Sequence, residues 1–70
     1  MIRQELSDGI RMLCAKQNTS IVIACAKAGV GKSVIYRYIE GVSDAGINRL
    51  DKFCREGLGK SLTEVAELGK

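Results

Sequence analysis

Apolar residues near the start of the chain recur at the spacing of an α-helix: Ile2, Leu6, Ile10, Leu13 and Cys14 share one side, while Arg3, Glu5, Asp8, Arg11 and Lys16 fall mostly elsewhere. The pattern predicts a first helix ending near Gln17-Asn18. Thr19 or Ser20 can cap a second helix by accepting a hydrogen bond from an early backbone N–H, and that helix runs to about Ala28. Gly29 can take the left-handed conformation that ends a helix and turns the chain, with Val30 packing inward behind it. A third helix follows Gly31, runs to Ile39 or Glu40 and is closed by Gly41. Val42 to Gly46 reads as a loop, in which Ser43 or Asp44 caps a fourth helix with the stripe Ile47, Leu50, Phe53 and Cys54. Gly57 and Gly59 are expected to break that helix. Ser61-Leu62-Thr63-Glu64 has the form of a capping box, opening a short fifth helix that carries Leu62, Val65, Ala66 and Leu68. No internal repeat, linker or low-complexity segment interrupts the sequence, so residues 1–70 are expected to form one all-α, five-helix domain.

Composition supports that class. The only aromatic residues are Tyr36, Tyr38 and Phe53, too few for the strands of a sandwich or barrel. The longest apolar run, Ile21 to Ala26, is far short of the roughly 20 residues that cross a bilayer. Met1 to Glu5 lacks the charged and apolar regions of a signal peptide, so a cytoplasmic location and no membrane partner are expected. Cys14, Cys25 and Cys54 are odd in number and far apart, and the chain has no His and no CxxC pair. They read as small buried thiols, with no zinc set, no catalytic thiol and no cofactor expected. A net charge of +3 permits a polyanionic partner without demanding one.

The segment Ala26-Lys27-Ala28-Gly29-Val30-Gly31-Lys32-Ser33 supports two readings. It departs from a phosphate loop only in having Ala26 where the first Gly is usual; backbone N–H groups and Lys32 would hold phosphates, and Ser33 a magnesium ion. Such a loop is the tip of a parallel sheet whose βαβ crossovers each need about 30 residues. Seventy residues leave no room for that sheet, and no later strand supplies a magnesium-binding Asp. An enzyme is therefore not expected. The second reading uses more of the chain. Ala24, Cys25 and Ala28 before Gly29 let two helices cross closely, and Val30, Ile35 and Tyr38 supply apolar contacts behind the turn.

This spacing resembles the helix-turn-helix of the Cro and phage-repressor family, with the motif at about residues 20–40 and the resemblance covering roughly Leu6 to Val65. It implies a compact lambda-repressor-like domain whose third helix enters the major groove of duplex DNA. Lys32, Ser33, Tyr36 and Arg37 then occupy the base-reading positions, and helical geometry independently places 32 with 36 and 33 with 37. Ser20, Ser43, Asn48 and Arg49 are the candidates for phosphate contacts. Two features depart from the family. Ile21, Val22 and Ile23 stand where many relatives have polar residues, and Asp44 places a negative charge in a loop expected near the DNA backbone. Val22 and Ile23 are assigned to the core, with a partner interface as the other option.

The resemblance implies a stand-alone repressor of phage or plasmid type, binding a double-stranded DNA operator as a homodimer with half-sites about 34 Å apart. No small-molecule ligand is expected. The loop after Gly41 and the last helix, including Leu62, Val65 and Leu68, are the candidate dimer surface, with Ile39 beside them. The alternative from another class is a protein-interaction module such as an antitoxin.

Overall fold

The computed structural model describes residues 3–70, so Ile2 of the predicted first stripe lies outside the described residues. Five helices follow one another: α1 (Arg3–Lys16), α2 (Ile21–Ala28), α3 (Lys32–Ile39), α4 (Ile47–Lys52), which winds on as a π-helical segment (Phe53–Leu58), and α5 (Leu62–Leu68). No strand occurs among the described residues. Their radius of gyration is 10.3 Å, close to the roughly 11 Å of a folded chain this long. None of the helices is long and apolar enough to cross a membrane among the described residues.

Helices α2, α3 and α5 begin or end as their local chemistry dictates. Ser20 caps α2, its Oγ accepting from the Ile23 N–H at 3.2 Å. Gly29 closes α2 in the left-handed region (φ 70°, ψ 31°), which lets the Val30 N–H reach back to the Cys25 carbonyl at 3.1 Å. α3 ends on the same device, with the Val42 N–H donating to the Arg37 carbonyl at 2.9 Å and the Gly41 N–H to that of Tyr38 at 3.1 Å. At α5 the capping box is present in both directions: Glu64 N–H to Ser61 Oγ at 3.2 Å, and Ser61 N–H to Glu64 Oε1 at 3.1 Å.

The fourth helix differs from its sequence pattern. Neither Ser43 nor Asp44 caps it; Asp44 Oδ1 accepts from the Gly46 N–H at 3.2 Å, shaping the approach, and Gly46 precedes the helix without a side-chain cap. Ile47 is 64% exposed, leaving Leu50, Phe53 and Cys54 as the inward row. Nor does Gly57 break the helix, which continues to Leu58 and ends at Gly59. A Cβ at Gly57 would lie 2.6 Å from the Ala24 carbonyl oxygen. Its missing side chain therefore serves a close approach of the π segment to α2, not a turn.

The core gathers around Phe53, Leu6, Ile10, Ile35, Val65 and Cys54, all almost wholly buried. α1 and α5 meet backbone to backbone. A Cβ on Gly9 would overlap the Val65 carbonyl oxygen, and one on Gly69 the Glu5 carbonyl oxygen. This contact draws Leu62 and Val65 inside, so of the three last-helix residues expected on a partner surface only Leu68 is exposed. Val22 and Ile23 move the other way. They are 44% and 52% exposed, because the inward row of α2 is Ala24, Cys25 and Ala28, and positions 22 and 23 turn away from it.

Candidate nucleic-acid interface

The turn Gly29 to Gly31 joins α2 to α3 with only three residues between the helices, and half-buried Val30 packs against the core behind it. Gly31 precedes α3 in extended backbone (φ −62°, ψ 129°) with no side-chain cap. α3 is then divided by its period. Ile35 and Tyr38 are buried, Val34 and Ile39 are partly buried against the core, and Lys32, Ser33, Tyr36 and Arg37 are exposed. The last four are related by one and four residues, so they share one face of the helix. The structure thus brings all four predicted positions together on one surface.

That face is held from behind. The Arg3 guanidinium lies over the Tyr38 ring, 5.2 Å from its centre. Burial pushes the Tyr38 hydroxyl up from its ordinary pKa, against the opposing pull of Arg3. On the exposed side, neither Lys32 nor Arg37 forms an ion pair among the described residues; the ion pairs there, Arg55 with Asp51 and Lys70 with Glu67, lie on other elements. Lys32 and Arg37 are therefore free to meet an outside acceptor. Arg37 offers a planar fork of donors and Lys32 a compact point charge, while Ser33 and Tyr36 add hydroxyls that donate or accept. Glu40, exposed just beyond the helix, is the one acid close to this face in sequence.

The remaining candidates are spread more widely. Ser20 is exposed, but its oxygen already accepts the Ile23 N–H as the α2 cap. Ser43 is exposed in the loop, and Asn48 and Arg49 are exposed in the first turn of α4. Only Arg49 joins the turn before α3. It lines a cleft of about 350 Å³ with Gly29, Val30, Gly31, Val34 and Lys52, of which Ser20, Ser43 and Asn48 form no part. Lys52 is the residue that sequence reasoning passed over. Its Nζ would be 3.8 Å from a Cβ on Gly29, so it stands over the turn. The available signal was its spacing three residues after Arg49, which puts two cations on one side of α4.

The segment that resembles a phosphate loop has a different local geometry. Ala26 to Ser33 spans the end of α2, the turn and the start of α3, whereas a phosphate loop follows a strand. The three thiols are buried. Burial raises the pKa of Cys14 and Cys25, and pushes Cys54 up to about 12 with the charge of Asp51 adding to the effect. Among known protein families, curated proteins and solved structures, nothing significantly matches the chain.

Proposed function

We propose that this chain is a sequence-specific duplex-DNA-binding transcriptional regulator, a Cro-like repressor in which α2, the turn and α3 act as a helix-turn-helix within a lambda-repressor-like domain. The observation that carries the reading is the division of α3. Ile35 and Tyr38 anchor it, and the opposite face offers Lys32, Ser33, Tyr36 and Arg37 with both cations unpaired among the described residues. An α-helix fits the major groove, where base pairs differ in their donors and acceptors. Arg37 donates in parallel to guanine O6 and N7, Lys32 donates to guanine or phosphate, Ser33 meets a purine or phosphate, and Tyr36 meets a thymine methyl or phosphate.

Contacts to the DNA backbone come from Arg49 and Lys52, which flank the turn, with Ser20, Ser43 and Asn48 as further exposed donors. Repression follows from occupancy: a homodimer covering an operator blocks polymerase, and no cofactor or ligand enters the mechanism. One observation favours a second reading, a protein-interaction module. Val22 and Ile23 are exposed at the start of α2, where a phosphate backbone would reward polar side chains.

Selection of bound sequences from a random duplex pool, followed by titration at several salt concentrations, separates the two. The regulator reading expects a recurrent half-site and an affinity falling about 10³-fold between roughly 50 and 200 mM salt. Arg37→Ala should cost about 1–3 kcal/mol of binding and relax the preference at one base pair. Its melting temperature should stay unchanged, because the residue is on a solvated face. Unaltered binding by both Arg37→Ala and Lys32→Ala would remove α3 from the interface. Failure of the pool to yield any sequence favours the protein partner.

A further inference from the structure

α1 and α5 touch backbone to backbone at Gly9, where a Cβ would overlap the Val65 carbonyl oxygen. Beyond that contact, toward the end of α1, they leave a groove of about 620 Å³, a volume within the roughly 300–1,000 Å³ of small-molecule sites. Almost wholly buried Leu13 is its floor, and half-exposed Leu68 is on its rim. Lys16, Lys60, Glu64 and Glu67 surround them. We propose that this groove binds one amphipathic anion, a carboxylate carrying an unbranched acyl chain. The chain lies along Leu13 and Leu68, and the carboxylate meets Lys16 and Lys60. No residue of the α3 face lines the groove, so this ligand and duplex DNA occupy separate surfaces.

The sign of the ligand follows from which charges are already engaged. Both carboxylates have partners within the chain: Glu64 Oε1 accepts the Ser61 N–H at 3.1 Å in the capping box, and Glu67 Oε1 accepts from Lys70 Nζ at 3.1 Å. The Ser61 N–H first, its hydroxyl next and Lys60 last hold the Glu64 carboxyl below its ordinary pKa, so the helix cap is its chief partner. Lys16 and Lys60 form no ion pair among the described residues. The charge left uncompensated at the groove is therefore positive, which complements an anion. The floor then decides what kind. A bare inorganic anion would leave Leu13 and Leu68 uncovered, whereas an acyl chain removes them from water. Lysine stems lie along apolar surface while their ammonium groups stay in water, so Lys16 and Lys60 can lengthen the apolar wall and hold the carboxylate at its mouth. The seven residues of α5 span about 10 Å, the reach of one chain of medium length. The site is also formed in advance. Gln17 Nε2 donates to the Leu58 carbonyl at 2.7 Å, tying the end of α1 to the segment before α5, and the glycine contact fixes the two walls. The sequence alone suggests no such ligand, because the floor and rim come from the first and last helices.

Titration of the isotope-labelled whole chain with decanoate below its micelle concentration, without DNA, tests the site by nuclear magnetic resonance. Binding should saturate, with the largest amide shifts at Lys16, Gln17, Thr63 and Leu68 and none from Lys32 to Arg37. From hexanoate through octanoate to decanoate, each added methylene should tighten binding about fourfold, equivalent to about 0.8 kcal/mol. Lys16→Gln/Lys60→Gln should raise the decanoate Kd by about tenfold or more, equivalent to about 1.4 kcal/mol. Decanol, which lacks the charge, should bind the wild type more weakly by a similar factor. Leu68→Ser should weaken binding with an unchanged helical circular dichroism spectrum, whereas Glu67→Gln should bind at least as tightly as the wild type. No saturable binding, an affinity independent of chain length, decanol binding as tightly as decanoate, or an unaffected lysine variant would each overturn the proposal. So would binding to phosphatidylglycerol vesicles but not to monomeric decanoate. Because DNA is absent, such a result leaves the duplex reading intact, and loss of a selected duplex site leaves the groove intact.

Discussion

Helices α3 and α5 are nearly equal in length, eight and seven residues, yet they are attached in opposite ways. Helices this short are unstable alone in water, so each exists through its docking. α5 is fastened by its backbone: a reciprocal capping box at its start, glycines that press its end against α1, and Leu62, Val65 and Ala66 inside the core. α3 begins at an uncapped glycine and is held by the side chains of one face, chiefly Ile35 and Tyr38. A helix fixed through one row of side chains leaves its other face free to vary without unfolding the domain. That is the arrangement the proposed reading surface needs.

The sharpest way to break this contrast is Gly9→Ala. The added methyl meets a backbone oxygen that has no rotamer with which to escape, and a loss of about 3 kcal/mol is expected in chemical denaturation. A stability close to wild type would show that α5 is not seated on α1 as described. Ser61→Ala removes one half of the capping box and should cost about 1 kcal/mol, read from the same transition.

The other half of the box depends on pH. The Ser61 N–H, followed by its hydroxyl, holds the Glu64 carboxyl below its ordinary pKa of 4.5. A carboxyl lowered on folding stabilises fully above its unfolded value and ceases to do so as pH falls through the folded one. Glu64→Gln keeps an acceptor but no charge, so its difference in melting temperature from the wild type should close in acid. The smallest expected effect is at the other helix. Gly31 has a backbone that any residue adopts, and a Cβ there meets nothing closer than Val34 at 3.8 Å. Gly31→Ser should therefore add the missing cap and raise stability by a few tenths of a kcal/mol. A loss instead would show that the turn tolerates only glycine.

Much of the local architecture was legible in the chain. Ser20, Gly29, Gly41 and the pair Ser61–Glu64 act on groups within a few residues of themselves, and each ends or begins a helix where its chemistry predicts. The shared face of Lys32, Ser33, Tyr36 and Arg37 was legible for the same reason, since helical period alone aligns them. Gly57 was misread because its local signature is that of a helix breaker, while its actual role is set by Ala24, thirty-three residues earlier. Val22, Ile23 and Ile47 were misplaced by hydrophobicity. A short helix buries the row that its neighbours cover, and α2 covers itself with small residues so that the π segment can come close.

The sequence by itself determined the helices, most of their ends and the composition of the α3 face, because caps and periodicity are short-range. Only the tertiary structure decided that Lys52 joins Arg49 over the turn, that Leu62 and Val65 are inside while Leu68 remains outside, and that Lys16 and Glu67 border one groove. Those relations arise from helix crossings at glycine contacts, and a crossing depends on two distant segments at once.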